Sequence, residues 1–490
     1  MYKGTIEEVK AYAKDYSVVP IYETLFSDSI TPITLLKKLK KASSNVYMLE
    51  SVEQQKRWSR YTFLGFDPYL CISAVGNEVT INYCRDENRV ETINDNPIKV
   101  LKSFIKDYTS PRIGDLPSFT GGLVGYFSYD FIKYSEPTLN LDAKDEEGFK
   151  DLDLMLFDNV IAFDNLKQKI YIIANVRTNN IESDYANAKA DIASIKDIIL
   201  HGETIEEEPA KVLGEFKPLF NKEQFMAMVE KGKHYIYEGD IFQVVLSNRL
   251  EAPMEGSLLD TYRMLRTVNP SPYMFYFAGT DVEVAGSSPE TLVKLENGVL
   301  HTFPLAGTRP RSEDEVEDRR REVELLADEK ECAEHNMLVD LGRNDLGRIS
   351  KFGTVEVEDY MSVLRYSHVM HIGSTVRGEI RDEFDAIDAV AAVLPAGTLS
   401  GAPKIRACEI INELEDNKRG IYGGAIGYID FTGNLDTCIG IRLCYKKNGK
   451  VFVRSGAGIV ADSVPATEYE ETINKAKAVV VSIESSQEVE

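Results

Sequence analysis

The spacing of apolar and polar positions divides the chain into helical and strand-like pieces. Residues 31–42 (TPITLLKKLKKA) set leucines and lysines at helical spacing and predict an amphipathic helix, and the alanine-rich run 184–200 predicts another. Short apolar runs at 46–50, 61–66 and 122–129 read as strands. The polar, acidic, proline-containing segment HGETIEEEPAKV at 201–212 interrupts this pattern. It marks a boundary between an N-terminal region, 1–205, and a C-terminal region, 216–490. Beyond it, 222–238 predicts a helix and 241–247 a strand, followed by the turn Asn269-Pro270-Ser271-Pro272. Strands follow at 273–277, 282–287 and 291–294, then one long charged helix over 312–339. Residues 420–460 read as consecutive strands with short Gly and Asn turns, and 467–482 as a last helix. Strands and helices that mix without regular alternation predict an α+β fold.

Composition narrows the function classes. The chain has 490 residues and 43% hydrophobic content, enough for large cores. Its net charge of −23 argues against nucleic acid and anionic membranes as partners. No apolar run approaches the roughly 18 residues of a membrane span, and MYKGTIEEVK is not a signal sequence, so a cytoplasmic protein is expected. The six cysteines (Cys71, Cys84, Cys332, Cys408, Cys438, Cys444) are scattered without a C-x-x-C pair. They read as reduced, buried thiols rather than a disulfide framework or zinc site. If the ligand of so acidic a chain is itself an anion, local positive features must hold it.

Two carboxylate pairs carry candidate chemistry. Glu331 and Glu334 lie three apart on one predicted helix, Glu468 and Glu471 three apart on another. That spacing puts both carboxylates of a pair on one helical face, where they need solvent or a cation. Together the two helices can hold Mg²⁺, a hard ion that takes oxygen ligands and keeps several waters. Just before the second pair, Gly456-Ala457-Gly458 offers backbone N–H groups to an anion. Lys475 follows Glu471 by four on the same face, and Arg442 sits in an apparent strand over 437–445. The plain alternative for these residues is a solvated acidic surface, turn glycines and ordinary surface cations.

Six motifs in order join these residues: Ser288-Pro289-Glu290, Pro304-Leu305-Ala306-Gly307-Thr308-Arg309, Met337–Asp345 (MLVDLGRND), Gly397–Lys404 (GTLSGAPK), Tyr422-Gly423-Gly424 and Gly456–Pro465 (GAGIVADSVP). With them, and with Gly122–Asp130 (GLVGYFSYD) in the N-terminal region, the chain resembles the chorismate-utilising enzymes, specifically their aminating branch. The resemblance implies a large α/β sandwich of two mostly antiparallel sheets with outer helices. It implies chorismate as substrate and Mg²⁺ held by Glu334 and Glu471, with Glu331 and Glu468 bonding metal-bound waters. Chorismate's carboxylates would meet Tyr422, Arg442, the backbone of Gly456, Ala457 and Gly458, Gly307, Thr308 and Lys475, while Thr398 supports the ring pocket. Glu290 matches the family's general acid, and His371 the histidine implicated in pyruvate loss.

Two positions separate the branches. Water-adding members carry a lysine base where this chain has Gln243, which cannot deprotonate water but can hydrogen-bond ammonia. Aminodeoxychorismate synthases, the nearest alternative, typically carry lysine where this chain has Ala306. The resemblance therefore points to anthranilate as product, at the first committed step of tryptophan biosynthesis. A non-catalytic ligand sensor would be expected to lack Glu290 or a glutamate, and all are present. Ser51 with Pro272, Tyr273 and Met274 resembles the tryptophan feedback site of the anthranilate-forming enzymes, with a proline-walled apolar lining that suits an indole. None of the cysteines lies in a glycine-flanked nucleophile turn. Ammonia is thus expected from solution or from a separate glutamine amidotransferase small subunit, in a heterotetramer.

Overall fold

The structure, a computed structural model, describes residues 2–51, 60–86, 89–114, 116–279, 281–365 and 369–488. Among these residues the strands form two sheets, one of 14 strands and one of 12, and every pairing between named strands is antiparallel. In the first sheet Val46–Glu50 from the N-terminal region pairs with Tyr273–Ala278 from the C-terminal region. In the second, Gly122–Phe127 pairs with Ala425–Asp430. The two regions therefore share both sheets, although the polar boundary does separate helix Ile181–His201 from strand Lys211–Val212. The α+β expectation of two antiparallel sheets with outer helices is met.

Strand alternation explains the layering. Side chains pointing inward from both sheets, among them Tyr47, Phe63, Val124, Phe275, Tyr428 and Tyr445, form one aromatic-rich core between them. Tyr47 meets Phe157 edge-on at 4.6 Å, a geometry worth roughly 0.5–1.5 kcal/mol beyond area burial. The opposite face of the first sheet packs on helices through Leu35, Leu39, Ile195, Tyr262 and Val479. The opposite face of the second sheet does so through Val100, Leu346 and Val390. Helix Pro32–Ala42 starts where predicted: Thr31 accepts from the Thr34 N–H, and Pro32 occupies the first turn, where no N–H is needed.

Three expectations need correction. The charged helix over 312–339 is two helices, Glu315–Ala327 and Glu329–Gly347. Asp328 ends the first in extended backbone, and its carboxylate caps Lys330 and Glu331 of the second. Arg442 is not in a strand. Leu435–Ile439 and Leu443–Lys447 are separate strands in different sheets, and Arg442 lies in the turn between them at φ 52°. The cysteines are free thiols as expected but not all buried: Cys84 and Cys332 are partly exposed, and Cys84 brings its sulfur within 3.2 Å of that of Cys71. Among the described residues, no helix is long and apolar enough to cross a membrane.

Candidate active site

The site forms where the chain passes from one sheet to the other twice, side by side. Strand Glu283–Ser288 belongs to the first sheet and Thr291–Glu296 to the second, so Pro289 and Glu290 make the crossing. Strand Leu435–Ile439 returns to the first sheet as Leu443–Lys447 through Gly440, Ile441 and Arg442. The crossings are tied by backbone bonds: Ile439 N–H donates to Glu290 O at 3.0 Å, and Ser287 N–H to Arg442 O at 3.0 Å. Two cross-strand pairings thus place a carboxyl and a guanidinium, over a hundred residues apart in sequence, at one end of the sandwich.

Glu290 accepts a hydrogen bond from the Thr398 hydroxyl at 3.0 Å, from the short 3-10 turn Gly397–Leu399. Burial raises its pKa to about 7, against the lowering effects of the Thr398 bond and the Lys475 charge. A carboxyl so poised is protonated for much of the time at neutral pH and can give up a proton.

His371 stands on strand Val369–Glu379 opposite Thr308. The pairing with Leu305–Pro310 slips at Gly307, where the left-handed φ of 64° bulges the strand and turns its carbonyl onto His371 Nδ1 at 2.9 Å. Thr308 Oγ1 lies 3.0 Å from the same nitrogen. A carbonyl only accepts, so Nδ1 carries the hydrogen and Nε2 the lone pair of the neutral ring. Burial lowers the His371 pKa, opposed by the Gly307 bond and aided by the Arg442 charge. A β-carbon on Gly307 would stand 2.9 Å from Leu325 and 3.2 Å from Glu331 Oε2, so only glycine allows helix Glu329–Gly347 this close.

The carboxylates of the two helices lie near enough to influence one another. Burial, then the Glu331 charge, and further down Glu471 on the other helix, raise the Glu334 pKa. Glu468 is raised by burial and by Glu471, against a hydrogen bond with Ser463. Lys475 pairs with Glu471 at 2.6 Å and donates to Gly456 O at 3.1 Å. The first helix is pinned by His335, whose Nε2 lies 2.6 Å from Ser374 Oγ. Among the described residues, no three His, Cys, Asp or Glu side chains form a ready-made metal cage.

Gly456 and Gly458 line the back wall. A β-carbon at Gly456 would fall 2.8 Å from the Tyr422 hydroxyl, and one at Gly458 2.6 Å from Gln243 Nε2. The intervening Ala457 turns its methyl into the core. Gln243 is buried, with Oε1 unpartnered among the described residues. Tyr422 is buried and its hydroxyl pushed up to about 12 by that burial. Arg442 has its pKa lowered by burial, eased by Tyr422. Arg442, Thr467, Glu471, Asn474 and Lys475 border a cavity of about 400 Å³. A larger recess, about 740 Å³, borders Lys40, Glu207, Asp281, Glu283 and Lys447 and holds none of the residues singled out from the sequence. Its main charges are already paired, Lys40 with Glu207 and Lys447 with Asp281. The smaller cavity is bordered by Arg442 and Lys475, whose charges reach His371 and Glu290 respectively, and is the better chemical site.

The residues read from the sequence as an inhibitor site are neighbours along two paired strands, though not on one face. Met274 pairs with Glu50 across the strands, which sets Ser51 beside Tyr273 and Pro272. Met274 is buried on the helix side, near the Glu50–Arg266 ion pair. Tyr273 points between the sheets, its hydroxyl 2.8 Å from Asp436 and 2.9 Å from Thr291 Oγ1. Ser51 Oγ is buried without a partner among the described residues.

Sequence reading missed the charged cluster behind the site: Glu415, Arg419 and Arg454, all buried. The signal was present in Glu415 and Arg419 four apart, and in Arg454 within the apolar strand Lys450–Ile459.

Comparison with known proteins agrees with the geometry. The family described as chorismate binding enzyme matches residues 23–481. Anthranilate synthase component 1 of Acetivibrio thermocellus is 46% identical over 497 residues, covering 100% of both chains. That of Aquifex aeolicus (strain VF5) is 45% identical, covering 99% of this chain and 98% of its own. The crystal structure of anthranilate synthase component I from Streptococcus pneumoniae TIGR4 matches with a TM-score of 0.75 at 36% identity, covering 93% of this chain and 99% of that chain. The chain belongs to the chorismate-binding enzymes, in the group of anthranilate synthase component 1.

Proposed function

We propose that the cavity bordered by Arg442, Glu471 and Lys475, within reach of Glu290 and His371, is where this anthranilate synthase component aminates chorismate and expels pyruvate. The observation that carries this reading is Glu290: a carboxyl lifted to about 7 by burial, at a sheet crossing, bonded to Thr398 and within reach of the Lys475 charge. Arg442, Lys475 and the glycine backbone at 456–458 hold the substrate carboxylates and fix the ring. Ammonia, oriented by Gln243, adds to the ring carbon beside the one bearing the carboxylate. The ring hydroxyl leaves as water on receiving the Glu290 proton, because hydroxide alone leaves poorly. His371, neutral and with its lone pair on Nε2, then takes the ring proton as pyruvate departs and the ring becomes aromatic.

Glu334 and Glu471 offer the hard oxygen ligands that Mg²⁺ takes, and the ion would keep several waters to complete its shell. Carboxylates from two helices, Glu334 and Glu471, stand close enough to raise the Glu334 pKa. Glu331 and Glu468, one turn earlier on the same helices, would bond metal-bound waters. When bound, the ion supplies Lewis-acid charge that anchors a substrate carboxylate.

Ammonia comes from a glutamine amidotransferase partner, since the relatives are named as a first component and no cysteine here sits in an amidotransferase nucleophile turn. Tryptophan inhibits from the region of Ser51, Pro272 and Met274. Incubating the purified chain with chorismate, Mg²⁺ and ammonium salt, then separating the ortho and para aminobenzoates, tests the reading. The ortho isomer is expected; the para isomer would move the chain to the folate branch.

A further inference from the structure

Arg419 is among the largest side chains buried completely in this chain. Its guanidinium donates to Leu399 O at 2.6 Å, to Val245 O at 2.7 Å, and to both oxygens of Glu415 at 2.9 and 2.5 Å. Its plane lies 4.5 Å over the Tyr129 ring and 5.8 Å from that of Tyr422. Glu415 is saturated in turn, accepting from Ser247 N–H at 2.7 Å, Ser247 Oγ at 2.9 Å and Arg454 at 2.7 Å.

Three of these contacts lead into the site by one short step. Leu399 adjoins Thr398, whose hydroxyl bonds Glu290. Val245 is two residues from Gln243 and pairs with Gly458. Tyr422 is the residue whose hydroxyl faces Gly456. One rigid fork thus spans three separate segments that must be in mutual register for proton transfer. A fork of planar donors fixes two carbonyls and a carboxylate at once, which a lysine's point charge does not.

We propose that Arg419, clamped by Glu415, is a positioning residue for the proton donor: through the Leu399 carbonyl it sets the turn that aims Thr398 at Glu290. The inference rests on the reading of Glu290 as the acid.

The test compares Arg419→Lys, Thr398→Val and their combination in the full chain, measuring kcat/KM for chorismate against pH, expressed per NH₃. The Thr398 bond holds the Glu290 pKa down, so losing it moves the alkaline limb to higher pH, by about half a unit. Arg419→Lys is expected to move the limb the same way and lower kcat roughly ten-fold. Adding Thr398→Val to it should move the limb no further. A folded Arg419→Lys protein with the parental limb, while Thr398→Val moves it, overturns the proposal, as does additive movement in the double variant. Should Arg419→Lys fail to fold, Glu415→Gln, which keeps the shape and weakens the clamp, is read by the same criterion. Glu290→Gln separates the two claims: if it retains the parental limb, the acid assignment fails rather than the positioning role.

Discussion

Replacing Glu290 by glutamine keeps the shape of the side chain and its ability to accept from Thr398, but removes the ionisable proton. The structure predicts two opposite consequences. Turnover falls by about 10²–10⁴-fold, the usual contribution of a positioned general acid. Stability, however, rises at alkaline pH. Burial lifts the carboxyl from 4.5 to about 7, so below about pH 4.5 it is protonated in both states and costs nothing. Between those values the unfolded chain ionises first, and stability falls as pH rises; above about 7 the cost is complete. A rise of that size corresponds to about 3 kcal/mol, an upper bound because the carboxyl is only partly enclosed. Glu290→Gln should therefore unfold at higher urea than the parent at about pH 8 and at nearly the same urea at about pH 4. A variant no more stable than the parent at pH 8, or equally stabilised at both pH values, would refute the claim that this carboxyl is held against its ionisation.

Other expectations follow from named contacts. Glu334→Ala or Glu471→Ala should remove Mg²⁺-dependent turnover and Mg²⁺ binding by calorimetry while circular dichroism stays parental; full activity in Glu471→Ala would sink the metal assignment. The purified chain should use ammonium but not glutamine, so glutamine-dependent turnover without a partner would contradict a separate amidotransferase. Gly458→Ala should cut activity by displacing Gln243, since the added methyl falls 2.6 Å from its amide nitrogen; parental turnover would count against Gln243 as the ammonia ligand. Ser51→Phe, and more weakly Met274→Thr, should relieve tryptophan inhibition with little change in uninhibited rate. Because binding linkage is reciprocal, chorismate should weaken tryptophan by the same factor in the parent; equal sensitivity in Ser51→Phe would exclude this region.

Much of the fold was legible because local chemistry and tertiary role agree. The strands Val46–Glu50 and Tyr61–Phe66 match their predicted bounds: apolar runs with polar flanks have little else to become. The helix break at Asp328 was not legible, since an aspartate between charged residues reads as one more solvated position until its carboxylate is seen capping the next helix. Arg442 was misread for a related reason. Its segment is apolar and strand-like on both sides, and only the passage between sheets forces the turn. The two glutamate helices and the glycine corner were visible as spacing. Their convergence with Glu290 depends on pairings such as Gly286 with Leu443, between residues far apart in sequence. The Glu415–Arg419–Arg454 cluster was passed over because a Glu–Arg pair four apart reads equally as a surface pair; the one hint of burial was Arg454 within the apolar strand Lys450–Ile459.

The most direct test of the site is a crystal structure of the Glu290→Gln variant with chorismate and Mg²⁺. The account predicts chorismate in the cavity beside His371, its carboxylates on Arg442, Lys475 and the 456–458 backbone, with the ion between Glu334 and Glu471. Chorismate bound instead in the recess beside Lys40 and Lys447, or the ion on other carboxylates, would contradict it.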